Sequence, residues 1–295
     1  MVISQNKKVS VIVPNYNYGK YIKKRIQTIM KQTYPIYELI VLDDASTDGS
    51  ANRLKEIVFD LKIKNPEMRV RFVGNVKNSG KAMMQWKKGF ELVTGDYIWI
   101  AEADDLCSPR FLEEVMKGFR DPEVVLSYTE SKIINSAGIV IAPNFRWSRD
   151  KERTGHYKKS YVKDGVQEIK EILAIRCTIP NVSAVVFRKD VVKPSYFKKA
   201  IDFSQVGDWY LYSKILENGR IAYNKKALNK FRIHGGSKTA ESKKESDHYK
   251  EVLWMHKFFK DNYTMDSKVQ QAIYQEEVRI KVKHGIIDSS KTEFL

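Results

Sequence analysis

Residues 8–46 read "KVSVIVPNYNYGKYIKKRIQTIMKQTYPIYELIVLDDAS", and the fold class turns on them. Val9 to Val13 form a short apolar run closed by the turn cluster Pro14, Asn15, Tyr16 and Asn17, the pattern of a buried strand. Ile22, Ile26, Ile29 and Met30 then recur at helical spacing, with Pro35 beyond their end. The closing "YELIVLDDAS" is a second buried strand, so strand, helix and strand follow without interruption.

The alternation continues. "SANRLKEIVFDLK" (50–62) carries Leu54, Ile57, Val58 and Leu61 on one helical face. "MRVRFVGN" (68–75) and "GKAMMQWKKGFELV" (80–93) make a third strand–helix pair, and "DYIWIAEADD" (96–105) a fourth strand. Ser108 as N-cap and Pro109 at the first position predict a helix over 108–119. This order implies an α/β fold, a doubly wound, mostly parallel sheet with helices on both faces. Ligands bind such sheets beyond the C-terminal strand ends, where the strand order reverses. Past residue 120 the pattern loosens. "VVLSYTE" (124–130) and "VSAVVFRKD" (182–190) predict strands, and "GVQEIKEILAI" (165–175) predicts a helix. "QVGDWYLYSKILENG" predicts a helix from near Asp208 to Gly219, and "KKALNKFRIHGGS" a strand leading into a glycine turn. From about 241 the chain turns polar and helical, with Val252, Met255, Phe258 and Phe259 on one side. Three regions are expected: 1–105, 106–240 and a C-terminal helical extension, 241–295.

Hydrophobic content of 42% and aromatic content of 12% over 295 residues supply a sizeable core. No apolar run reaches the roughly 18 residues needed to span a bilayer. The opening "MVISQNKKVSVIVPNYN" lacks the apolar segment and small-residue cleavage site of a secretory signal. Cys107 and Cys177 stand far apart without a CxxC, which argues against a disulfide frame or a zinc site and leads to the expectation of a cytoplasmic setting. The excess of 52 Lys and Arg over 36 Asp and Glu, a formal charge of +16, favours polyanionic partners: nucleic acid, an anionic membrane surface or phosphorylated small molecules.

The polar clusters "PNYN", "DDAS" and "EADD" end strands one, two and four, so all three face one crevice. Glu102 and Asp104, two apart at a strand end, are expected to project to one side and either hold a hard divalent ion that coordinates a diphosphate or merely cap a helix or line a loop. Asp44 could accept a base N–H or make an Asx turn; Tyr16 could stack on a base or pack. By itself Asp208 reads as a helix N-cap, and a lone histidine such as His234 as structural or simply exposed. Neither G-x-G-x-x-G nor G-x-x-x-x-G-K-[ST] is present, which argues against a dinucleotide oxidoreductase and a P-loop enzyme.

In this order, "VSVIVPNYN", "VLDDASTDGS" and "GDYIWIAEADDLCSP" resemble the inverting family 2 glycosyltransferases of the GT-A fold, strongly over about 9–130 and more loosely over 180–237. The resemblance implies a nucleotide-sugar-binding half (1–105) and an acceptor-binding, catalytic half (106–240). It implies that Pro14 shapes the turn, that Tyr16 lies against the base and that Asp44 hydrogen-bonds it. Glu102 would contact the ribose or the metal, Asp104 would be the principal ligand of Mn2+ or Mg2+, and Asp105 would support it. Asp208 would be the catalytic base, His234 a further metal ligand, and Arg232 a counter-charge to phosphate. Two departures stand out: Glu102 replaces the first acid of D-x-D, and Met84, Gln85 and Trp86 replace the usual Ala-Arg-Asn. The implied donor is UDP- or dTDP-linked, rhamnose included. The implied acceptor is a glycan or lipid-linked oligosaccharide of bacterial surface polysaccharide synthesis; the +16 charge separately leads to the expectation of work near an anionic membrane surface, at its inner face.

A rival reading is a catalytically silent α/β protein that binds nucleic acid or another polyanion through its charge and aromatic residues. No nucleic-acid motif is present and the aromatics fall mostly inside predicted elements, so nucleic acid is not the expected partner. A nucleotide-sugar pyrophosphorylase would need a glycine- and arginine-rich loop near strand one, and a processive polymerase a membrane channel and Q-x-x-R-W.

Overall fold

β1 (Val9–Asn15) runs through the middle of the computed structural model, buried along its whole length. The structure describes residues 7–145, 155–235 and 248–287. Gly236, the basic stretch 146–154, the first residues of the helical extension and the closing "SSKTEFL" lie outside the described residues. β1 pairs in parallel with β2 (Glu38–Asp43) and β4 (Tyr97–Ile100), and β2 with β3 (Arg69–Gly74). The chain thus builds outward to β3 and returns to the opposite flank of β1, so the order reverses between β1 and β4.

Side-chain alternation gives each face its own core. Val9, Val11 and Val13 pack with α1 (Ile22–Met30), α2 (Ser50–Lys64) and α4 (Phe111–Met116). Ile12, Ile40 and Leu42 pack with α3 (Ala82–Leu92) on the other side. α3 comes so close to β1 that a Cβ at Gly89 would lie 2.5 Å from Ile12 Cγ2. Only glycine fits there.

Beyond β4 the sheet is mixed. β9 (Val185–Arg188) sits antiparallel between β4 and β6 (Val124–Ile134), and β10 (Arg220–Arg232) runs parallel to β6. The short β5 (Leu106–Cys107) and β8 (Tyr161–Asp164) pair antiparallel with β10, and β7 (Val140–Ala142) with β6, completing one ten-stranded sheet. α6 (Pro194–Ala200), α7 (Gly207–Leu216), α8 (His248–Asn262) and α9 (Ser267–Lys283) cover the α3 face. Val252, Met255 and Phe259 are buried, as their spacing predicts, and join that same core. No helix among the described residues is long and apolar enough to cross a membrane.

Two local expectations are corrected. The helix predicted over 108–119 begins only at Phe111, because Leu106 and Cys107 are drawn into pairing with β10 and the Ser108 N–H is spent on Leu228 O (2.7 Å). The helix predicted over 165–175 starts as α5 (Gly165–Glu168) and continues as a π-helical turn (Ile169–Leu173).

At the tip of β2, Asp43 Oδ2 accepts the Ser46 N–H (3.0 Å) and Ala45 is held at φ 60°. A left-handed alanine costs about 1–2 kcal/mol, whereas glycine loses about 0.5–1 kcal/mol more entropy on folding. Ala45→Gly is therefore expected to stabilise the protein by about 0.5–1 kcal/mol, a rise of roughly 1–3 °C in melting temperature. A lower melting temperature would mean that the alanine methyl packs where the turn needs it.

Candidate active site

β4 ends at Ile100, and residues 101–105 leave the sheet in a turn in which the Asp105 N–H meets the Glu102 carbonyl (3.3 Å). Glu102 and Asp104 consequently do not share one side of an extended strand, contrary to the sequence expectation. Trp86 Nε1–H donates to Glu102 Oε1 (2.7 Å), and the Glu102 amide donates to Ser183 Oγ (3.1 Å). Asp104 Oδ2 instead meets His234 Nε2 (3.0 Å), on a ring packed against Tyr18 and Tyr21. The two departures from the expected motif therefore contact each other: the longer arm of Glu102 reaches the indole of Trp86.

Withdrawal from water, reinforced by the charge of Asp104, pushes Glu102 up to about 8 and Asp105 up to about 7. Arg25 opposes both shifts. It is fully buried on α1, lies 5.1 Å from the centre of the Trp99 ring, and its Nε and Nη atoms have no hydrogen-bond partner among the described residues. Sequence reading missed it, although Arg25 stands three residues after Ile22 and so on the buried face of its helix.

Carboxylates held this high mark a place short of positive charge, which a bound cation would supply. Among the described residues no three His, Cys, Asp or Glu side chains close into a metal cage. Asp104 and His234 form an open oxygen–nitrogen pair, which fits an ion that also takes oxygens from a ligand. Imidazole beside carboxylate suits Mn2+ better than Mg2+.

These acids line a cavity of about 350 Å3 whose wall also includes Trp86, Asn181, Phe203 and Asp208. Asp208 stands in the first turn of α7, where its Oδ1 accepts the Trp209 N–H (2.7 Å). Removal from water pushes its carboxyl up to about 6, so the ionised form still predominates at neutral pH.

The sequence from residue 10 to residue 170 matches the family model described as glycosyl transferase family 2. The chain belongs to that family. An uncharacterized glycosyltransferase of Haemophilus influenzae is 26% identical over 77% of this chain and 66% of its own length. The Bacillus subtilis protein named as a putative teichuronic acid biosynthesis glycosyltransferase, TuaG, is 28% identical over 44% of this chain and 49% of its own. The chain thus spans less than two thirds of these relatives. Staphylococcus aureus TarS (residues 1–349), solved in complex with UDP-GlcNAc, superposes on 97% of this chain and 75% of its own with a TM-score of 0.65 at 17% identity. That likeness shows the shared GT-A fold.

In this family 2 glycosyltransferase, the remaining residues singled out from sequence take varied positions. Tyr16 projects from the end of β1 with 44% of its surface exposed, and Pro14 is buried in β1 opposite Leu42. Asp44 already receives Asn75 Nδ2 (2.6 Å), the Ser79 N–H (2.9 Å) and Ser79 Oγ (2.6 Å), which ties the 75–79 loop to β2. Roughly one of its four acceptor positions is left for a base. Arg232, expected to face phosphate, is buried: its Nε donates to the Asp104 carbonyl (2.6 Å) and its Nη1 to the carbonyls of Asn135 (2.9 Å) and Ser136 (3.1 Å). Its own N–H holds Asp105 Oδ1 (2.9 Å). It clamps the acidic turn and lines the same cavity as the three acids.

Proposed function

We propose that the protein is an inverting glycosyltransferase that moves a sugar from a UDP- or dTDP-linked donor to a hydroxyl of a glycan or lipid-linked acceptor in bacterial surface polysaccharide synthesis. The observation that carries this reading is that Asp208 and the Glu102–Asp105 turn line one cavity at the reversal of strand order. Residues 1–105 bind the donor and 106–240 supply the acceptor side, with 241–295 packed behind it. Tyr16 and the free acceptor position of Asp44 receive the base. Glu102, steadied by Trp86, meets the ribose or the metal. Asp104 and His234 hold Mn2+, or less well Mg2+, and the ion would neutralise the diphosphate as it leaves. Asp208 takes the proton of the acceptor hydroxyl as its oxygen bonds to the anomeric carbon and the bond from that carbon to the diphosphate breaks. Arg232 holds the turn in place and offsets its charge. The names of TuaG and of TarS with UDP-GlcNAc support a UDP-linked donor and a cell-surface polymer. The basic surface supports work at an anionic membrane face.

A donor panel tests the reading. UDP-glucose, UDP-GlcNAc, GDP-mannose and dTDP-rhamnose are incubated with enzyme and Mn2+, and release of nucleoside diphosphate is measured alongside protection from heat. We expect turnover of donors carrying one base, abolished by EDTA. If a folded sample neither cleaves nor is protected by any of them, the silent polyanion-binding reading takes its place.

A further inference from the structure

Asp208 enters the active-site cavity just after the short connection 201–206 that joins α6 to α7. Phe203, Ser204, Gln205 and Gly207 line the same cavity. Gln205, Val206 and Asp208 also line a second cavity, on the side of α8 and α9. Backbone with open space on two sides is not fixed there by close packing, so other contacts must hold it.

Those contacts come from the helical extension. Near the start of α8, the Glu251 carboxylate accepts three successive backbone N–H groups: Ser204 at Oε1 (2.7 Å), then Gln205 (2.8 Å) and Val206 (3.2 Å) at Oε2. The three amides stand just ahead of α7, whose positive end favours a carboxylate. Hydrogen bonds to an ionised acceptor are also roughly twice as strong as neutral ones. Three residues on, and so on the same face of α8, Trp254 packs against Phe203 (4.9 Å between ring centres) and Tyr210 (6.2 Å), which stand on either side of Asp208 in the chain. Glu251 itself lines neither cavity, so whatever it does for the site passes through the stretch it holds. It lies well beyond residue 170, where the match to the family model ends.

We infer that Glu251 is a positioning residue: it fixes the backbone of residues 204–206 and thereby the reach of Asp208 toward the acceptor hydroxyl, so that the helical extension completes the active site. The inference rests on the proposed glycosyl transfer and deepens it. A general base works within about 2.6–3.2 Å of the group whose proton it takes. A displacement of about 1 Å, caused by a change remote from the chemistry, can cost roughly a hundredfold in rate.

The test measures release of nucleoside diphosphate from the same four nucleotide sugars with Mn2+, water standing in for the acceptor hydroxyl. Glu251→Gln keeps one acceptor oxygen and turns an NH2 group toward the amides; Glu251→Asp keeps both oxygens on a shorter arm. In the Gln variant kcat should fall about tenfold or more, while KM for the donor and the Mn2+ requirement stay within about threefold. The Asp variant should recover part of the rate. In an Asp208→Asn background the Gln substitution should cost nothing further, because the group that Glu251 positions is gone. Amide exchange at 204–206 should quicken in the Gln variant. Val269→Ala, which opens a hole in the same core away from this stretch, controls for lost stability and should keep its rate at an equal drop in melting temperature. Full activity in Glu251→Gln, an equal loss in Val269→Ala, or an undiminished further loss in the Asp208→Asn background overturns the inference and leaves the glycosyl-transfer reading standing. If the unmodified enzyme releases nothing from any donor, that reading fails and this inference fails with it.

Discussion

Asp208→Asn will lower the rate of sugar transfer by about 10^2–10^4-fold, the range expected when a positioned base is lost, and will make the protein more stable as it does so. The two effects share one cause. The carboxyl is pushed from 3.8 up to about 6 by removal from water. A base must be ionised, so kcat/KM of the unmodified enzyme should climb as pH rises through about 6 and then level off, and the residual rate of the Asn variant should lack that limb. For stability, a folded pKa above the unfolded one means that folding favours the neutral acid. That advantage is complete below the unfolded value and disappears as pH rises through about 6, leaving a buried charge that costs roughly 2–3 kcal/mol at neutral pH. Asn keeps the acceptor for the Trp209 N–H without the charge, so its unfolding midpoint should rise. A mere helix-capping aspartate would show neither the pH limb nor the loss of rate. An Asn variant that keeps more than about a tenth of the activity would remove Asp208 from the chemistry.

The parts of the fold visible in the sequence were those governed by local periodicity. β1 to β4 and their helices appear because apolar runs and 3.6-residue stripes are written out in consecutive residues. The second half is less legible because its strands pair non-locally: β9 inserts antiparallel between β4 and β6, and Leu106 and Cys107 are claimed by β10, a partner more than a hundred residues away. The same distinction runs through the site. Residues at strand tips, such as Asp44, Glu102 and Asp104, stand out because a polar cluster interrupts an apolar run. Arg25 and Ser183 do not, since their relation to the acidic turn is set entirely by packing. Side-chain direction was also beyond reach. Spacing alone put Glu102 and Asp104 on one side, but a single turn hydrogen bond after Ile100 sends one to Trp86 and the other to His234.

Asp104→Asn will raise the Mn2+ concentration needed for half-maximal activity by about a hundredfold or more, and His234→Ala by roughly tenfold. Outer partners of a metal ligand are commonly worth about 10–100-fold in metal affinity, and Asp104 supplies both a donor oxygen and the nearest negative charge. Its carboxylate already faces the imidazole, 3.0 Å away, so the two side chains that would hold the ion stand side by side on a turn that Arg232 clamps. The imidazole also sets the choice of ion. Replacing it by a second carboxylate, His234→Asp, should shift the preference from Mn2+ toward Mg2+, since oxygen donors suit the harder ion. Glu102→Gln separates the alternatives for that residue. Gln can still accept the Trp86 N–H, so if Glu102 serves the ribose, the variant should raise KM for the donor and leave the metal dependence within a few fold. If it disturbs metal dependence as severely as Asp104→Asn, Glu102 must leave Trp86 when the donor binds and join Asp104 on the ion. The Trp86–Glu102 hydrogen bond would then be the resting position of a ligand that moves.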